Sequence, residues 1–195
     1  MDITSRYLHW ASFMDYKLLD KLSDANYHST ELIKGSASSD PFNDFLFHDF
    51  NLVLENDMLR KVDTMSMSKS LEVRTPFLDH ELVEYVFSLP SSYKIDQKNR
   101  KKILKETFYS ELPKEVFSRK KHGFEIPLNK WFKNELQSFI ENDIFRNNKA
   151  LKMGLINEVG LKLIEKKWRD RSEGNTVYHI WSLIILDNFL KKYIF

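Results

Sequence analysis

Ionic side chains alternate with small and apolar ones along the stretch from Lys61 to His80, which is too apolar for a solvated loop. They are Asp63, Glu72, Arg74 and Asp79. Burying an unpaired charge is very costly, so these side chains need partners. The pattern therefore indicates either an internal ion-pair network or the wall of a site for a charged substrate.

The carboxylates of this stretch suit one more specific chemistry. Asp63, Glu72 and Asp79 could bind Mg²⁺ through a substrate phosphate, because magnesium needs few protein carboxylates. The alternative is that they pair with the nearby cations Arg60, Lys61 and Arg74. The sequence pattern alone leaves both interpretations open.

A cluster of lysines follows, within a helix predicted from about Lys98 to Tyr109. Its members are Lys98, Lys101, Lys102 and Lys105. At about 100° per residue these lysines share one face of the helix. That face is either an ordinary solvated surface or a cationic surface directed at phosphate, where one lysine acts as a point charge.

A second set of cations precedes Gly123. It consists of Arg119, Lys120 and Lys121, followed by His122. Such a basic loop is a weak signal for anion binding. No second histidine lies nearby, so a metal site is not predicted there, and no site made by protein ligands alone is predicted elsewhere in the chain.

The composition limits the classes of protein to which this chain can belong. A chain of 195 residues with 42% hydrophobic residues can bury one sizeable core. The net charge of +2 gives no global field directed at nucleic acid or an anionic membrane. The absence of cysteine excludes a disulfide framework and a cysteine nucleophile within this chain. With no signal peptide and no apolar stretch of membrane length, we expect a cytoplasmic protein without nucleic-acid or membrane partners.

The elements that must position these residues are predicted to be helices, and the fold is predicted to be mostly α. Only 5 of the residues are glycine, which argues against the many tight turns of an all-β fold. Besides the lysine helix, helical patterns begin at Pro41, His80, Asn129, Ile156 and Asn175. The best extended stretch runs from Leu71 to Pro76.

The last predicted helix, Asn175 to Ile194, is apolar nearly all round. A surface helix would show one apolar stripe only. It is therefore either a central core helix or a helix that needs a partner outside this chain.

Taken in order, these pieces resemble the synthetase domain of the glutamine-hydrolysing asparagine synthases. The matching segments are Arg6–Trp10, Asn56–Met67, Ser70–His80, Leu82–Val86, Asn99–Glu106, Leu112–Val116 and Arg119–Trp131. Their order and spacing agree with the family over nearly the whole chain.

The resemblance implies a chemistry. That family adenylates the side-chain carboxylate of aspartate with Mg-ATP and releases pyrophosphate, after which ammonia from glutamine displaces AMP. By position, Lys101 resembles the family's catalytic lysine, whose fixed charge would stabilise phosphate and oxyanion charge. Further candidates for the substrate and ATP site are Asp63, Glu72, Arg74, Lys102, Lys120 and Lys121.

The chain also departs from the family pattern. It has no cysteine for the glutaminase nucleophile, no S-G-G-x-D-S loop and no S-G-E-G-x-D-E segment. The resemblance therefore implies one helical domain over residues 1–195, the C-terminal portion of an adenine-nucleotide α-hydrolase-like (ATP pyrophosphatase) synthetase domain without its parallel-sheet half. A chain of this kind is expected to bind neither ATP nor Mg²⁺ by itself and to be inactive alone.

The partners implied are the missing N-terminal half of the synthetase and a glutaminase domain, on the same or a separate chain. A homo-oligomer through the last helix is a further expectation. The alternative is a different class of protein, a non-catalytic interaction module or the subunit of a split enzyme.

Overall fold

The computed structural model describes residues 2–14, 16–24, 39–97, 99–119, 126–170 and 174–194. In chain order the α-helices are α1 (Ile3–Ala11), α2 (Tyr16–Leu22), α3 (Pro41–Asp49), α4 (Arg60–Met67), α5 (His80–Ser88), α6 (Lys102–Thr107), α7 (Lys114–Ser118), α8 (Leu128–Lys133), α9 (Gln137–Phe139), α10 (Lys149–Lys152), α11 (Glu158–Arg169) and α12 (Thr176–Tyr193). Shorter 3₁₀ turns lie at Pro76–Leu78 and Ser91–Tyr93, and π-helical segments at Phe50–Leu59 and Ile140–Ile144. The predicted mostly α fold is confirmed.

Two predicted helices differ from the observed ones. The pattern beginning at Asn129 is interrupted at Asn134, whose φ of −123° and ψ of −91° leave the helical region. The lysine helix begins later than predicted, at Lys102, because the preceding residues make a bridge between Ile95 and Arg100. Lys101 therefore precedes the helix instead of lying on its face, and Lys98 is outside the described residues.

The chain divides into two compact units. The first unit comprises Met1–Tyr7 and Ser29–Gly123, and the second comprises Leu8–His28 and Phe124–Phe195. The prediction of one helical domain over residues 1–195 stays a prediction. Among the described residues, no helix combines the length and the apolar character needed to cross a bilayer.

The second unit has a dense apolar core formed by α2, α8, α11, α12 and the π-helical segment Ile140–Ile144. Its fully buried side chains include Phe132, Ile140, Ile144, Ile164 and Ile180. Helix α11 lies directly against α2, because Gly160 has no Cβ to separate their backbones. Asn157 caps α11 by accepting a bond from the Gly160 amide at 2.9 Å.

Helix α12 has one buried face and one exposed face. Ile180, Leu183 and Leu190 lie in the core. The opposite stripe, which consists of Tyr178, Ile185, Phe189 and Tyr193, is exposed although it is apolar. The helix thus has a feature of each predicted alternative. One face belongs to the core of the second unit, and the other is an exposed apolar stripe of the kind that a partner would cover.

The first unit differs from the second in the kind of side chain that it buries. Among its described residues, the buried ones are Tyr7, Asn43, His48 and Lys94, most of them polar. Its large apolar side chains are mainly exposed. The exposed set is Met58, Val62, Met65, Met67, Leu71, Val73, Phe77, Leu82, Tyr85, Tyr93, Leu104, Phe108, Tyr109, Leu112 and Val116. We call this set the uncovered apolar surface of the first unit.

Candidate functional site

Lys101 occupies an unusual backbone position immediately before α6. Its φ of 58° and ψ of 41° lie in the left-handed region, which residues with a Cβ rarely adopt. Its carbonyl accepts the first helical bond, from the Lys105 amide at 3.1 Å. The Lys101 side chain is exposed. The candidate catalytic lysine is therefore presented to solvent from a backbone fixed by the start of a helix.

The loop before Lys101 explains this conformation. The Asp96 amide donates to the Asn99 carbonyl at 3.0 Å, and the Asp96 carboxylate accepts from the Asn99 amide at 2.7 Å. Ile95 then pairs with Arg100 in an antiparallel bridge. Lys101 directly follows this bridge, and there the backbone passes through the left-handed region into α6.

Two more predicted lysines lie next to a cleft of about 410 Å³. The cleft is lined by Asn99, Lys102, Lys105, Glu106, Tyr109 and Phe117. Lys102 is half-buried, and its ammonium lies 3.4 Å from the Ser92 carbonyl oxygen. The rings of Tyr109 and Phe117 lie 5.4 Å apart at the apolar side of the cleft. Cations and aromatic rings together would suit an anion that also carries a planar group.

The acidic candidates are dispersed along the surface. Asp63 is exposed on α4, and Glu72 forms an ion pair with Arg74 in which both side chains are largely exposed. Exposed pairs of this kind contribute little to stability. Lys61 approaches Asp57 at 3.7 Å, one helical turn away, so it does not partner Asp63. Of the predicted ion-pair network, the described residues contain only the Glu72–Arg74 pair.

Asp79 has a structural role. Its carboxylate accepts bonds from the amides of Glu81 at 3.1 Å and Leu82 at 3.3 Å, which caps the start of α5. Among the described residues, no group of three histidine, aspartate or glutamate side chains could hold a metal ion. Lys120, Lys121 and His122 lie outside the described residues.

Ser70 is the other described residue besides glycine with a positive φ, at 56°. Its amide donates to the Met67 carbonyl at 2.9 Å, and the Leu71 amide donates to the Ser66 carbonyl at 3.0 Å. These bonds end α4 and redirect the chain into the extended stretch after Leu71. The left-handed positions of Ser70 and Lys101 were not predicted from the sequence, which has no glycine at either place.

A buried lysine was also missed. Lys94 is only 9% exposed, and its ammonium donates to the side-chain oxygen of Asn43 at 2.6 Å. The same ammonium lies 5.5 Å from the centre of the Phe87 ring. Burial lowers the pKa of Lys94, and the negative charge of Asp40 opposes that shift. The sequence signal was the polar residue Asn43 within the apolar face of α3.

Known proteins similar to this chain are asparagine synthetases. It is 29% identical over 164 residues to the glutamine-hydrolyzing asparagine synthetase 1 of Bacillus subtilis, an alignment that covers 84% of this chain and 25% of the relative. It is 39% identical over 95 residues to the asparagine synthetase 3 of the same organism, covering 49% of this chain and 16% of the relative. The Rattus norvegicus enzyme is likewise 39% identical over 95 residues, or 45% and 17% of the two chains.

The chain spans about a quarter or less of the length of these relatives. No solved structure matches it significantly. The sequence model of the asparagine synthase family, however, matches residues 4–191, which is nearly the whole chain. The chain belongs to the asparagine synthase family.

Proposed function

We propose that this chain supplies the lysine-bearing part of an ATP-dependent site that converts aspartate to asparagine in the cytoplasm. The observation that carries the proposal is Lys101: a cation held in a left-handed backbone position at the start of α6, within a segment that resembles the family's catalytic motif. Strained backbone positions of this kind persist where the surrounding structure fixes them, often at functional sites.

The proposed reaction has two steps. A carboxylate oxygen of aspartate attacks the α-phosphorus of ATP, and the bond to the bridging oxygen of the departing pyrophosphate breaks. Ammonia then attacks the acyl carbon, the bond to AMP breaks, and one proton leaves the nitrogen. Lys101 contributes a positive charge where negative charge develops on the phosphate and acyl oxygens.

The other described candidates would serve binding. Lys102 and Lys105 line the cleft, and they would hold phosphate oxygens as point charges. Mg²⁺ would neutralise part of the triphosphate charge. Since the described residues contain no cluster of ligands, the ion would be held mainly by the phosphates, with a single carboxylate such as Asp63 or Glu72 contributing. Arg74, Lys120 and Lys121 remain proposed members of the site.

We further propose that the chain is inactive alone and works with the remainder of a synthetase and a glutaminase domain. Two observations support this proposal: the uncovered apolar surface of the first unit and the relatives' much greater length. Large exposed apolar patches usually mark an interface. The exposed stripe of α12 would suit a second contact, including one with another copy of this chain.

The test is complementation. The chain is mixed with a fragment of a related synthetase that carries the two missing glycine-rich segments, and aspartate-dependent pyrophosphate release is measured. We expect activity in the mixture and a loss of about 10²-fold or more for Lys101→Ala. Lys162→Ala, which removes an exposed lysine of α11, is the matched control and should leave the rate unchanged.

A second candidate function is a non-catalytic interaction module, and the same uncovered apolar surface favours it. A complex that forms with the complementary fragment but never releases pyrophosphate would favour this candidate. Full activity of Lys101→Ala would remove the lysine from the mechanism.

A further inference from the structure

The buried Lys94 lies at the centre of the contacts that hold the first unit together. Its ammonium donates to Asn43 at 2.6 Å, and Asn43 is itself only 6% exposed. A buried lysine without a partner would be costly, so this bond fixes both side chains. The bond joins residues that are 51 positions apart in the chain.

Asn43, which accepts the bond from Lys94, also bonds to the backbone at the end of α5. Its side-chain amide donates to the Leu89 carbonyl at 3.0 Å and to the Phe87 carbonyl at 3.4 Å. At the start of α3, Asp40 accepts a bond from the Ser91 amide at 2.8 Å. The segment between Phe87 and Lys94 is therefore held against α3 by side-chain bonds at several points.

The backbone of Lys94 carries the connection to the candidate catalytic residue. The Lys94 carbonyl accepts a bond from the Lys102 amide at 3.0 Å. Lys102 directly follows Lys101, and the Ile95–Arg100 bridge closes the loop on the other side. Lys101 is thus confined between the bridge and the bond to Lys94.

The left-handed conformation of Lys101 needs such confinement. A residue with a Cβ loses about 1 to 2 kcal/mol in this region, so an unconstrained lysine would leave it. The local sequence offers no glycine that would adopt the conformation freely. The constraint must therefore come from the bonds that surround Lys101, which are the Ile95–Arg100 bridge and the bond from the Lys102 amide to the Lys94 carbonyl.

We propose that Lys94, held by Asn43, is a positioning residue that keeps Lys101 in its left-handed conformation and so aims the Lys101 ammonium at the reacting phosphate. This inference rests on the proposed function for its catalytic consequence. Its structural part, the dependence of the Lys101 backbone on a side-chain bond to α3, stands independently.

The structural part is tested on the chain alone. Lys94→Met keeps an unbranched side chain over Phe87 but removes the donor, and Asn43→Ala removes the acceptor. We expect NMR couplings across the Lys101 amide to show loss of the positive φ in both variants. Amide hydrogen exchange at Lys102 should speed up about tenfold, which equals about 1.4 kcal/mol. In the double variant, exchange at Lys102 should be no faster than in the more affected single variant, because the two substitutions remove the same bond.

Controls separate a local effect from unfolding. The Gly160 amide, which bonds to Asn157 in the second unit, should keep its exchange rate. Lys94→Arg, which retains a cationic donor, should restore at least part of the protection at Lys102. If Lys94→Met does not fold, Asn43→Ala tests the loss of the same bond, with Lys94→Arg as the control that retains it. A Lys101 that keeps its positive φ and a Lys102 amide that stays protected would overturn the proposal.

The catalytic part is tested in the complementation assay. For Lys94→Met we expect kcat to fall about tenfold while KM for ATP changes less than twofold, since the lysine touches no substrate. Adding Lys101→Ala to this variant should lower kcat by a smaller factor than Lys101→Ala does in the unmodified chain. A rise in KM for ATP without a fall in kcat would contradict the positioning role. If Lys101→Ala leaves activity unchanged, the proposed function fails, and the NMR result still decides the structural part.

Discussion

A Cβ built on Gly160 of α11 would lie 2.3 Å from the Cα of Leu22 in α2. The two backbones approach so closely that the Asn157 amide, just before α11, donates to the Leu22 carbonyl at 2.7 Å. The obstacle is backbone, which cannot rotate away as a side chain can. Gly160 is therefore required by close packing, although its φ is ordinary.

Gly160→Ala should destabilise the second unit. Overpacking of a well-packed contact costs about 1 to 3 kcal/mol, and the better helix propensity of alanine returns at most about 1 kcal/mol. Urea denaturation followed by tryptophan fluorescence would measure the difference. Val159→Ala, at the exposed neighbouring position, is the control and should stay within about 0.5 kcal/mol. A fully stable Gly160→Ala protein would show that the two helices can separate without loss.

Asp187 should be a second stabilising point of this unit. It is fully buried, its carboxylate accepts from the Lys149 amide at 2.6 Å, and it lies 2.6 Å from the Lys191 ammonium. Asp187→Ala leaves a backbone donor without its acceptor, and we expect a loss of about 2 to 3 kcal/mol in the free energy of unfolding. Lys162→Ala, which breaks an exposed pair of the same spacing, should cost far less. Equal losses for the two variants would contradict this account.

Tyr7 should make the stability of the first unit fall in alkali. Burial raises the pKa of Tyr7, and the nearby charge of Asp49, which accepts the phenol's bond at 3.1 Å, raises it further. The unfolded chain releases this proton near pH 10, whereas the native chain retains it. The native state then binds more protons, so stability falls as the pH rises above about 10.

The test compares Tyr7→Phe with the unmodified chain by urea denaturation at pH 8 and near pH 11. The variant should lose about 1 kcal/mol at pH 8 through the missing hydrogen bond. Its further loss in alkali should be smaller than that of the unmodified chain. Parallel pH dependences for the two proteins would rule out Tyr7 as the titrating group.

Lys101→Gly should separate stability from activity. Glycine adopts the left-handed region without strain, so the first unit should gain about 1 kcal/mol in stability. The same variant lacks the ammonium and should lose activity in the complementation assay. Lys105→Gly, inside α6, should instead lose about 1 kcal/mol of stability. A destabilised Lys101→Gly chain would mean that position 101 is not left-handed.

Local patterns predicted much of the fold. The pattern that begins at His80 predicts helix α5, which is observed from His80 to Ser88 and is limited by Pro90. The buried side of α11 follows the spacing of Leu161 and Ile164. These features depend on residues a few positions apart, which is the range over which helical periodicity carries information.

The surroundings of Lys101 could not be predicted in this way. The stretch Asn99 to Lys102 gives no local signal for the delayed start of α6, where Ile95 pairs with Arg100 and the Lys102 amide donates to the Lys94 carbonyl. The bond from Lys94 to Asn43 joins distant parts of the chain, and no local pattern encodes it. The resemblance to a family identified Lys101 as a candidate without indicating its conformation.

The uncovered apolar surface of the first unit has a consequence for the lifetime of this chain in a cell. A unit that buries mainly polar side chains should open at a lower free energy than the densely packed second unit. Chaperones and proteases bind the apolar residues that such openings expose, so degradation of a copy without a partner should begin at the first unit. A partner that covers this surface would then set the abundance of the protein, because copies made in excess of the partner would not persist.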